Sequence, residues 1–278
     1  MHIDGNTELI AHIGYPTHSF KSPLIYNPYF AQQGINAVVM PMACKAGDYP
    51  AFLRSVFKLA NLRGALITMP HKVVTVSLLD EVTSTVLVAG ACNAVKRLPD
   101  GRLHGDMFDG AGFVRGVQRK GLELSGARAL VVGSGGVGCA IAASLAAAGV
   151  AELALYDTNT ASCKALQQRL QTHYPALHVG FGSNDPAGFD LLVNATPLGM
   201  NEGDPLPIDV QRLQASTFVG EVVMRHDVTA FLAAAQARGC RTQVGTDMLF
   251  EQIPAYLEYF GFATTTAENL RSVAQLET

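Results

Sequence analysis

No Cys-x-x-Cys pair occurs in the chain. Its five cysteines, Cys44, Cys92, Cys139, Cys163 and Cys240, are odd in number and widely spaced, which argues against a disulfide framework or a zinc site and leaves reduced structural thiols. No histidine has a metal-ligand partner spacing, so no metal is expected. Charge is scarce as well: 15% of residues are charged and the net charge is −3. No cluster of lysines and arginines is interleaved with aromatics, so the sequence carries no electrostatic footprint for nucleic acid or an anionic membrane. Low-complexity tracts and internal repeats are absent. The opening Met1-His2-Ile3-Asp4-Gly5 lacks the basic and apolar regions of a signal peptide, which together with the thiols points to the cytoplasm. Small-molecule chemistry, on a monomer or a homodimer, is the remaining expectation.

What is present is apolar residue in quantity, 49% of 278 positions, enough for two domains or one large α/β domain. One stretch, Ala129 to Ala151, contains no charge and is long enough to span a bilayer. It is mostly alanine and glycine, however, and Gly133, Gly135, Gly136 and Gly138 divide it into a β-branched run and an alanine-rich one, which disfavours a membrane reading.

Short apolar runs alternate with helical patterns from the start: Leu9 to Ile13, Leu24 to Gln33, Ala37 to Met40, Phe52 to Leu59 and Ala65 to Thr68. Ala91 to Lys96 and Arg102 to Leu103, separated by Pro99-Asp100-Gly101, read as a hairpin or two edge strands. A second series follows Asp109, with strands expected at Ala129 to Val132, Leu153 to Tyr156, Leu191 to Asn194, Phe218 to Val223 and Thr242 to Val244. Helices are expected at Met248 to Phe260 and Glu268 to Leu276. This rhythm predicts an α/β fold with a doubly wound parallel sheet. The division predicted is a substrate-binding domain at 1–108 completed by helices at 247–278, and a Rossmann domain at 109–246.

Strand Ala129 to Val132 runs directly into Gly133-Ser134-Gly135-Gly136-Val137-Gly138 and an alanine-rich helix, the context a dinucleotide fingerprint requires. Gly133 permits the tight turn, Gly135 lets the backbone approach a pyrophosphate, and Gly138 lets the helix pack close, while the helix N-terminus offers free N–H groups. An ordinary glycine-rich turn is the alternative. Asp157 ends the next strand, about 20 residues on, where a carboxylate can accept hydrogen bonds from an adenosine ribose. A 2′-phosphate would meet its negative charge, and no arginine follows among Thr158, Asn159 and Thr160, so the electrostatics favour NAD over NADP. Lys164 is a counter-argument, and Asp157 could instead cap the following helix.

Six segments in order carry a resemblance over nearly the whole chain: Gly14-Tyr15-Pro16-Thr17-His18-Ser19-Phe20-Lys21-Ser22-Pro23, Ile67-Thr68-Met69-Pro70-His71-Lys72, Gly90-Ala91-Cys92-Asn93-Ala94, Gly105-Asp106-Met107-Phe108-Asp109-Gly110, Asn194-Ala195-Thr196-Pro197-Leu198-Gly199-Met200, and Met248-Leu249-Phe250-Glu251-Gln252. The chain resembles the shikimate dehydrogenase family. The resemblance implies reversible hydride transfer between NAD or NADP and a ring hydroxyl of shikimate, with catalysis in a cleft. It assigns Lys72 and Asp109 to the catalytic pair, Lys72 as acid/base and Asp109 orienting it and the reacting hydroxyl. A lysine partly shielded from water beside a carboxylate suits that proton relay. Ser22, with Ser19 displaced nearby, is assigned to the ring carboxylate. Thr68, Asn93 and Gln252 are assigned to ring hydroxyls or the cofactor-facing wall, and Thr196, Gly199 and Met200 to a loop near the nicotinamide.

Each residue also has a structural reading: Lys72 as a solvated lysine, Asp109 as a helix N-cap, Ser22 as a cap before Pro23, Asn93 satisfying a sheet edge, Gln252 on a solvated face, and His18 and His71 as outer supporting or exposed groups. Departures from the family pattern are Phe20 for a serine, Leu66 for an asparagine, Met107-Phe108 for Asn-Thr, and Met224 for a tyrosine. They remove polar contacts and add apolar bulk, which leaves open quinate or a less hydroxylated ring acid as substrate, or a non-catalytic nicotinamide-binding regulatory protein.

Overall fold

The computed structural model describes residues 3–18, 20–225 and 228–276. The chain divides into two compact units, one made of Met1–Val86, Gly90–Phe108 and Ile253–Thr278, the other of Leu87–Ala89 and Asp109–Gln252. In chain order the elements up to the main division are β1 (Glu8–Gly14), α1 (Pro23–Gln33), β2 (Ala37–Ala43), α2 (Tyr49–Val56), β3 (Leu62–Ile67), α3 (Lys72–Val76), β4 (Glu81–Val82), α4 (Ser84–Ala89), β5 (Ala94–Arg97) and β6 (Leu103–Asp106). Those after it are α5 (Asp109–Arg119), β7 (Arg128–Val132), α6 (Gly136–Ala147), β8 (Glu152–Tyr156), α7 (Thr160–His173), β9 (His178–Phe181), β10 (Leu191–Asn194), β11 (Phe218–Glu221), α8 (Ala230–Ala237), β12 (Arg241–Gln243), α9 (Gly245–Phe260) and α10 (Ala267–Val273).

The first unit is a mixed sheet in the order β2-β1-β3-β5-β6-β4. Strand β1 lies between β2 and β3, parallel to both, and is buried from Ile10 to Gly14, as a strand covered on both faces must be. The hairpin expected around Pro99-Asp100-Gly101 is present as antiparallel β5 and β6. Helix α1 opens with Pro23 in its first turn and closes on Gly34 at φ 67°, the proline-first, glycine-last pattern that fixed φ and left-handed freedom favour.

The second unit is an all-parallel sheet in the order β12-β11-β10-β7-β8-β9. Numbered from β7, this is the doubly wound order that reverses direction between its first and fourth strands, and ligands bind such sheets at the carboxyl ends of those two strands. Strands β7 and β10 are those neighbours here. Their aliphatic residues, with Val219 of β11 and Phe231 and Leu232 of α8, form one buried cluster. The uncharged stretch from Ala129 to Ala151 is split between β7, the glycine turn and α6. No helix among the described residues is long and apolar enough to cross a membrane.

The structure adds elements that the sequence pattern did not suggest: the short edge strands β4 and β9, and the single-turn helices α3 and α4. Each is too short to show a period. The helix expected from Phe52 to Leu59 instead runs from Tyr49 to Val56, beginning where Pro50 fits a first turn.

Helix α5 is set close to its neighbour by Gly110. A Cβ there would collide with the Ala140 carbonyl of α6, so the helix that opens on Asp109 can sit where it does only with a bare backbone at its second position.

Glu221, the last residue of β11, is fully buried and paired in register with Asn194 of β10. Its Oε2 accepts a hydrogen bond from the Thr229 hydroxyl at 3.0 Å, while Oε1 has no partner. Burial pushes the carboxyl up to about 7, against hydrogen bonds from Thr229 and Asn194 that pull it down. The folded protein therefore holds a proton that the unfolded chain has released, and stability from this group is lost as pH rises from the ordinary 4.5 through about 7. Glu221→Gln keeps the shape without the charge. In urea unfolding it should be more stable than the parent by about 2 kcal/mol near pH 8, with the gain fading toward pH 5. A pH-independent difference would contradict this.

Candidate active site

The turn after β7 has two closed glycines and two open ones. Gly133, at φ 104°, lies against the strand-end backbone beyond β10: a Cβ would stand 2.7 Å from the carbonyl carbon of Ala195. A Cβ on Gly138 would strike the Gly133 carbonyl, so the first turn of α6 rests directly on the end of β7. Gly135 and Gly136 have nothing within 4 Å of the Cβ position and are exposed. Val137 follows them in the first turn of α6. The helix thus begins with unobstructed backbone N–H groups at the carboxyl edge of the sheet, the arrangement that receives a pyrophosphate.

Asp157 is tied to this turn. Its Oδ2 accepts the Ser134 N–H at 2.7 Å and its Oδ1 the Asn159 N–H at 2.8 Å. The cap of α7 is Asn159, which accepts from Ala161 N–H, so the alternative reading of Asp157 as that cap is replaced: its carboxylate closes the glycine turn. On the other side of β7, Thr196 donates to Asn194 Oδ1 at 2.6 Å and accepts from Leu198 N–H at 3.1 Å. Gly199, at φ 100°, donates its N–H to Asp204 and lines a cavity of about 280 Å³ with Asp204, Thr229 and Phe231. Met200 beside it is exposed.

Asp109 is the first residue of α5 and is buried. Gln252 of α9 is also buried, against the backbone of Gly112, and not on a solvated face as one reading had it. Its Oε1 has no hydrogen-bond partner. Both belong to the second unit.

The first unit holds Ser22, Thr68, Lys72 and Asn93. Lys72 opens α3, is half-buried, and has its carbonyl held by the Cys92 N–H at 2.8 Å. His71 just before it is fully buried, which corrects the exposed alternative. Its Nε2 meets the Cys44 carbonyl at 2.8 Å and its ring stacks on Tyr49 at 3.9 Å. Burial lowers its imidazole below the usual range, partly opposed by the Cys44 hydrogen bond. His18, in contrast, is exposed. Thr68 accepts the His71 N–H through its carbonyl, so the Thr-x-Pro-His-Lys turn is a closed loop at the end of β3. Ser22 occupies the residue before α1 but makes no side-chain cap bond, leaving the cap reading without its interaction. Asn93, almost fully buried, accepts the Phe108 N–H at 2.9 Å and so fixes the backbone just ahead of Asp109. Ser19 lies outside the described residues.

One residue of this neighbourhood was not singled out from the sequence. His12 of β1 is buried, and Phe20 stacks on it at 4.0 Å. A lone histidine inside Leu9 to Ile13 reads as part of an apolar strand, and only the fold brings it beside Phe20. Burial first, and then the Lys72 charge, lower its pKa from 6.5 to about 3. The unfolded chain takes up this proton first as pH falls, so the stability contribution is complete above 6.5 and is lost as pH drops toward 3. Between neutrality and pH 5 the parent should lose about 2 kcal/mol more unfolding free energy than His12→Val. Equal losses would contradict the depressed pKa.

A family model for the shikimate dehydrogenase substrate binding domain matches residues 12–95, and the ThiF family model matches residues 113–176. A shikimate dehydrogenase (NADP(+)) of Rubrobacter xylanophilus is 35% identical over 254 residues, covering 90% of this chain and 89% of the relative. The structure of shikimate 5-dehydrogenase from Listeria monocytogenes in complex with shikimate and NAD superposes with a TM-score of 0.91 at 25% identity, covering 98% of both chains. Quinate dehydrogenase from Corynebacterium glutamicum in complex with NAD gives a TM-score of 0.85 at 28% identity, over 96% of this chain and 98% of that one.

Proposed function

This chain belongs to the shikimate dehydrogenase family, and on that premise we propose that it moves a hydride reversibly between a nicotinamide cofactor and a ring alcohol of shikimate or a close relative. The observation that carries this reading is the turn after β7, in which Gly133 and Gly138 are closed against backbone while Gly135 and Gly136 stand open. The cofactor, when bound, supplies or accepts the hydride at its nicotinamide ring. Everything else is the work of this chain's residues.

The proposed cofactor set is Gly133, Ser134, Gly135, Gly136, Val137 and Gly138, with Asp157 beside them and Thr196, Gly199 and Met200 on the loop after β10. Both NAD and NADP are found on similar proteins: the Rubrobacter relative is named for NADP(+), and the Listeria structure holds NAD. Asp157 supports NAD here. Its carboxylate is fixed by two backbone N–H groups, so a 2′-phosphate at that place would meet a negative charge that cannot swing away.

Oxidation of an alcohol releases a proton as well as a hydride, and reduction of the ketone consumes one. Lys72 is the proposed acid/base at the substrate oxygen, and Asp109 the carboxylate that orients it. Ser22 serves the ring carboxylate, and Thr68, Asn93 and Gln252 serve the remaining polar groups. The buried, unpartnered Gln252 Oε1 is an acceptor that a ring hydroxyl would satisfy. The likeness to a quinate dehydrogenase supports quinate as the second substrate reading.

Lys72→Ala should lower turnover by about a thousandfold while nicotinamide binding, followed by fluorescence, stays unchanged. Retained turnover would contradict the role of Lys72, and lost binding would mean the variant acts through the fold.

A further inference from the structure

Glu221, at the carboxyl end of β11, is fully buried with one oxygen unpartnered, and its neighbours lead to the glycine turn. It stands in register with Asn194, the last residue of β10, and residues so paired point to the same face of a parallel sheet. The Asn194 side chain organises the loop that follows. Its Oδ1 accepts the Thr196 N–H at 3.1 Å and the Thr196 hydroxyl at 2.6 Å, and its Nδ2 donates to the Leu198 carbonyl at 3.0 Å. These bonds clasp Ala195, whose carbonyl carbon stands 2.7 Å from a Cβ placed on Gly133 and whose own Cβ stands 3.3 Å from one placed on Gly138. The other partner of Glu221, the Thr229 hydroxyl, belongs to a residue beside the far end of the same loop: a Cβ on Gly199 would stand 3.4 Å from Thr229 Cγ2.

Among the described residues, the elements packed around Glu221 bring it neutral partners. Helix α8 has no ionisable residue, β10 presents Asn194, and β12 presents Gln243 opposite Gly220. Arg241 of β12 is opposite Phe218 and donates to the Lys120 and Gly121 carbonyls. On the adjoining loops Asp204 accepts the Gly199 and Asn201 N–H groups, Arg225 donates to the Asn201 amide oxygen, and Glu202 is exposed. His226 and Asp227 lie outside the described residues. Ionisation leaves the bare Oε1 buried and charged, a state that must find a donor or admit water. The Asn194 amide already acts on the carboxyl, and a carboxylate draws a hydrogen bond more strongly than a neutral acid does. As Nδ2 tightens on Glu221 it eases from the Leu198 carbonyl, and the clasp on the loop opens. We propose that Glu221 is a positioning residue for cofactor binding: protonated, it leaves Asn194 holding the loop on which the glycine turn closes, and ionised, it draws that loop out of shape and weakens dinucleotide binding. This inference rests on the reading of the glycine turn as the cofactor's seat. The carboxyl, pushed by burial to about 7, keeps its proton below that pH, so affinity is highest there and falls as pH rises through it.

The test compares the full-length parent with Glu221→Gln about one to two pH units on either side of the carboxyl's value of about 7. One readout is amide hydrogen exchange of the loop after β10 in the protein alone, and the other is the dissociation constant of NAD by calorimetry. NAD has no group of its own that titrates in this range, and any other titrating residue acts alike in both proteins. From the lower to the higher pH, the parent's loop should lose about tenfold in protection relative to Glu221→Gln. Its NAD dissociation constant should rise about tenfold, a rise that Glu221→Gln does not show. Thr229→Val removes a hydrogen bond that lowers the carboxyl's affinity for its proton, so it should move the fall in NAD affinity to higher pH. Equal loop protection in parent and Glu221→Gln, or NAD binding with one pH profile for both, would overturn the role of Glu221. Binding of neither NAD nor NADP at either pH would overturn the cofactor reading itself, and the binding role of Glu221 with it.

Discussion

The proposed docking of a nicotinamide cofactor on the second unit depends on one steric condition, the contact of bare backbone at Gly133 with the backbone of Ala195. Strands β7 and β10 are hydrogen-bonded neighbours, and the chain leaving each must turn within a residue or two of the sheet edge. A side chain at position 133 would force those two exits apart. With none there, α6 can start directly on the strand end, Gly138 against the Gly133 carbonyl, and its first N–H groups face outward. The Ser134 N–H donates inward to Asp157 instead, so one donor of the turn holds a carboxylate in place while Gly135 and Gly136 remain open. The open glycines and the fixed Asp157 carboxylate are two consequences of the same close approach.

The acid/base role proposed for Lys72 in the first unit rests on a different arrangement. Lys72 is not on a long helix but at the start of the single turn α3, and what fixes it is a ring of backbone and buried side-chain contacts: the Cys92 N–H on its own carbonyl, and His71 held between the Cys44 carbonyl and the Tyr49 ring. A short helix has little stability of its own, so placement of the lysine is delegated to neighbours that are themselves buried.

Much of this was readable in the sequence because it is periodic or punctuated. The parallel strands β7 and β10 are near-continuous aliphatic runs, and the glycine turn announces itself by following the first of them. Short elements were not readable: β9 is four residues with a glycine among them, and β4 is two. The same limit applies to the site. Lys72, Asp109 and Asp157, the residues of the proposed site, stand in local sequence patterns, whereas His12 and Glu221 sit singly within apolar strands, and only the fold shows what lies opposite them. Gln252 illustrates a third case, in which the surroundings of a candidate side chain were not legible: a polar residue on a C-terminal helix reads as solvated until Gly112 is seen packed against it.

The most direct test mixes the purified protein with shikimate or quinate and with NAD or NADP, and follows reduced nicotinamide by absorbance in all four combinations. The account predicts turnover of at least one ring acid, faster with NAD than with NADP because the fixed Asp157 carboxylate opposes a 2′-phosphate. Turnover that prefers NADP would contradict the role given to Asp157, and no turnover in any combination despite measurable cofactor binding would contradict the proposed activity on these acids.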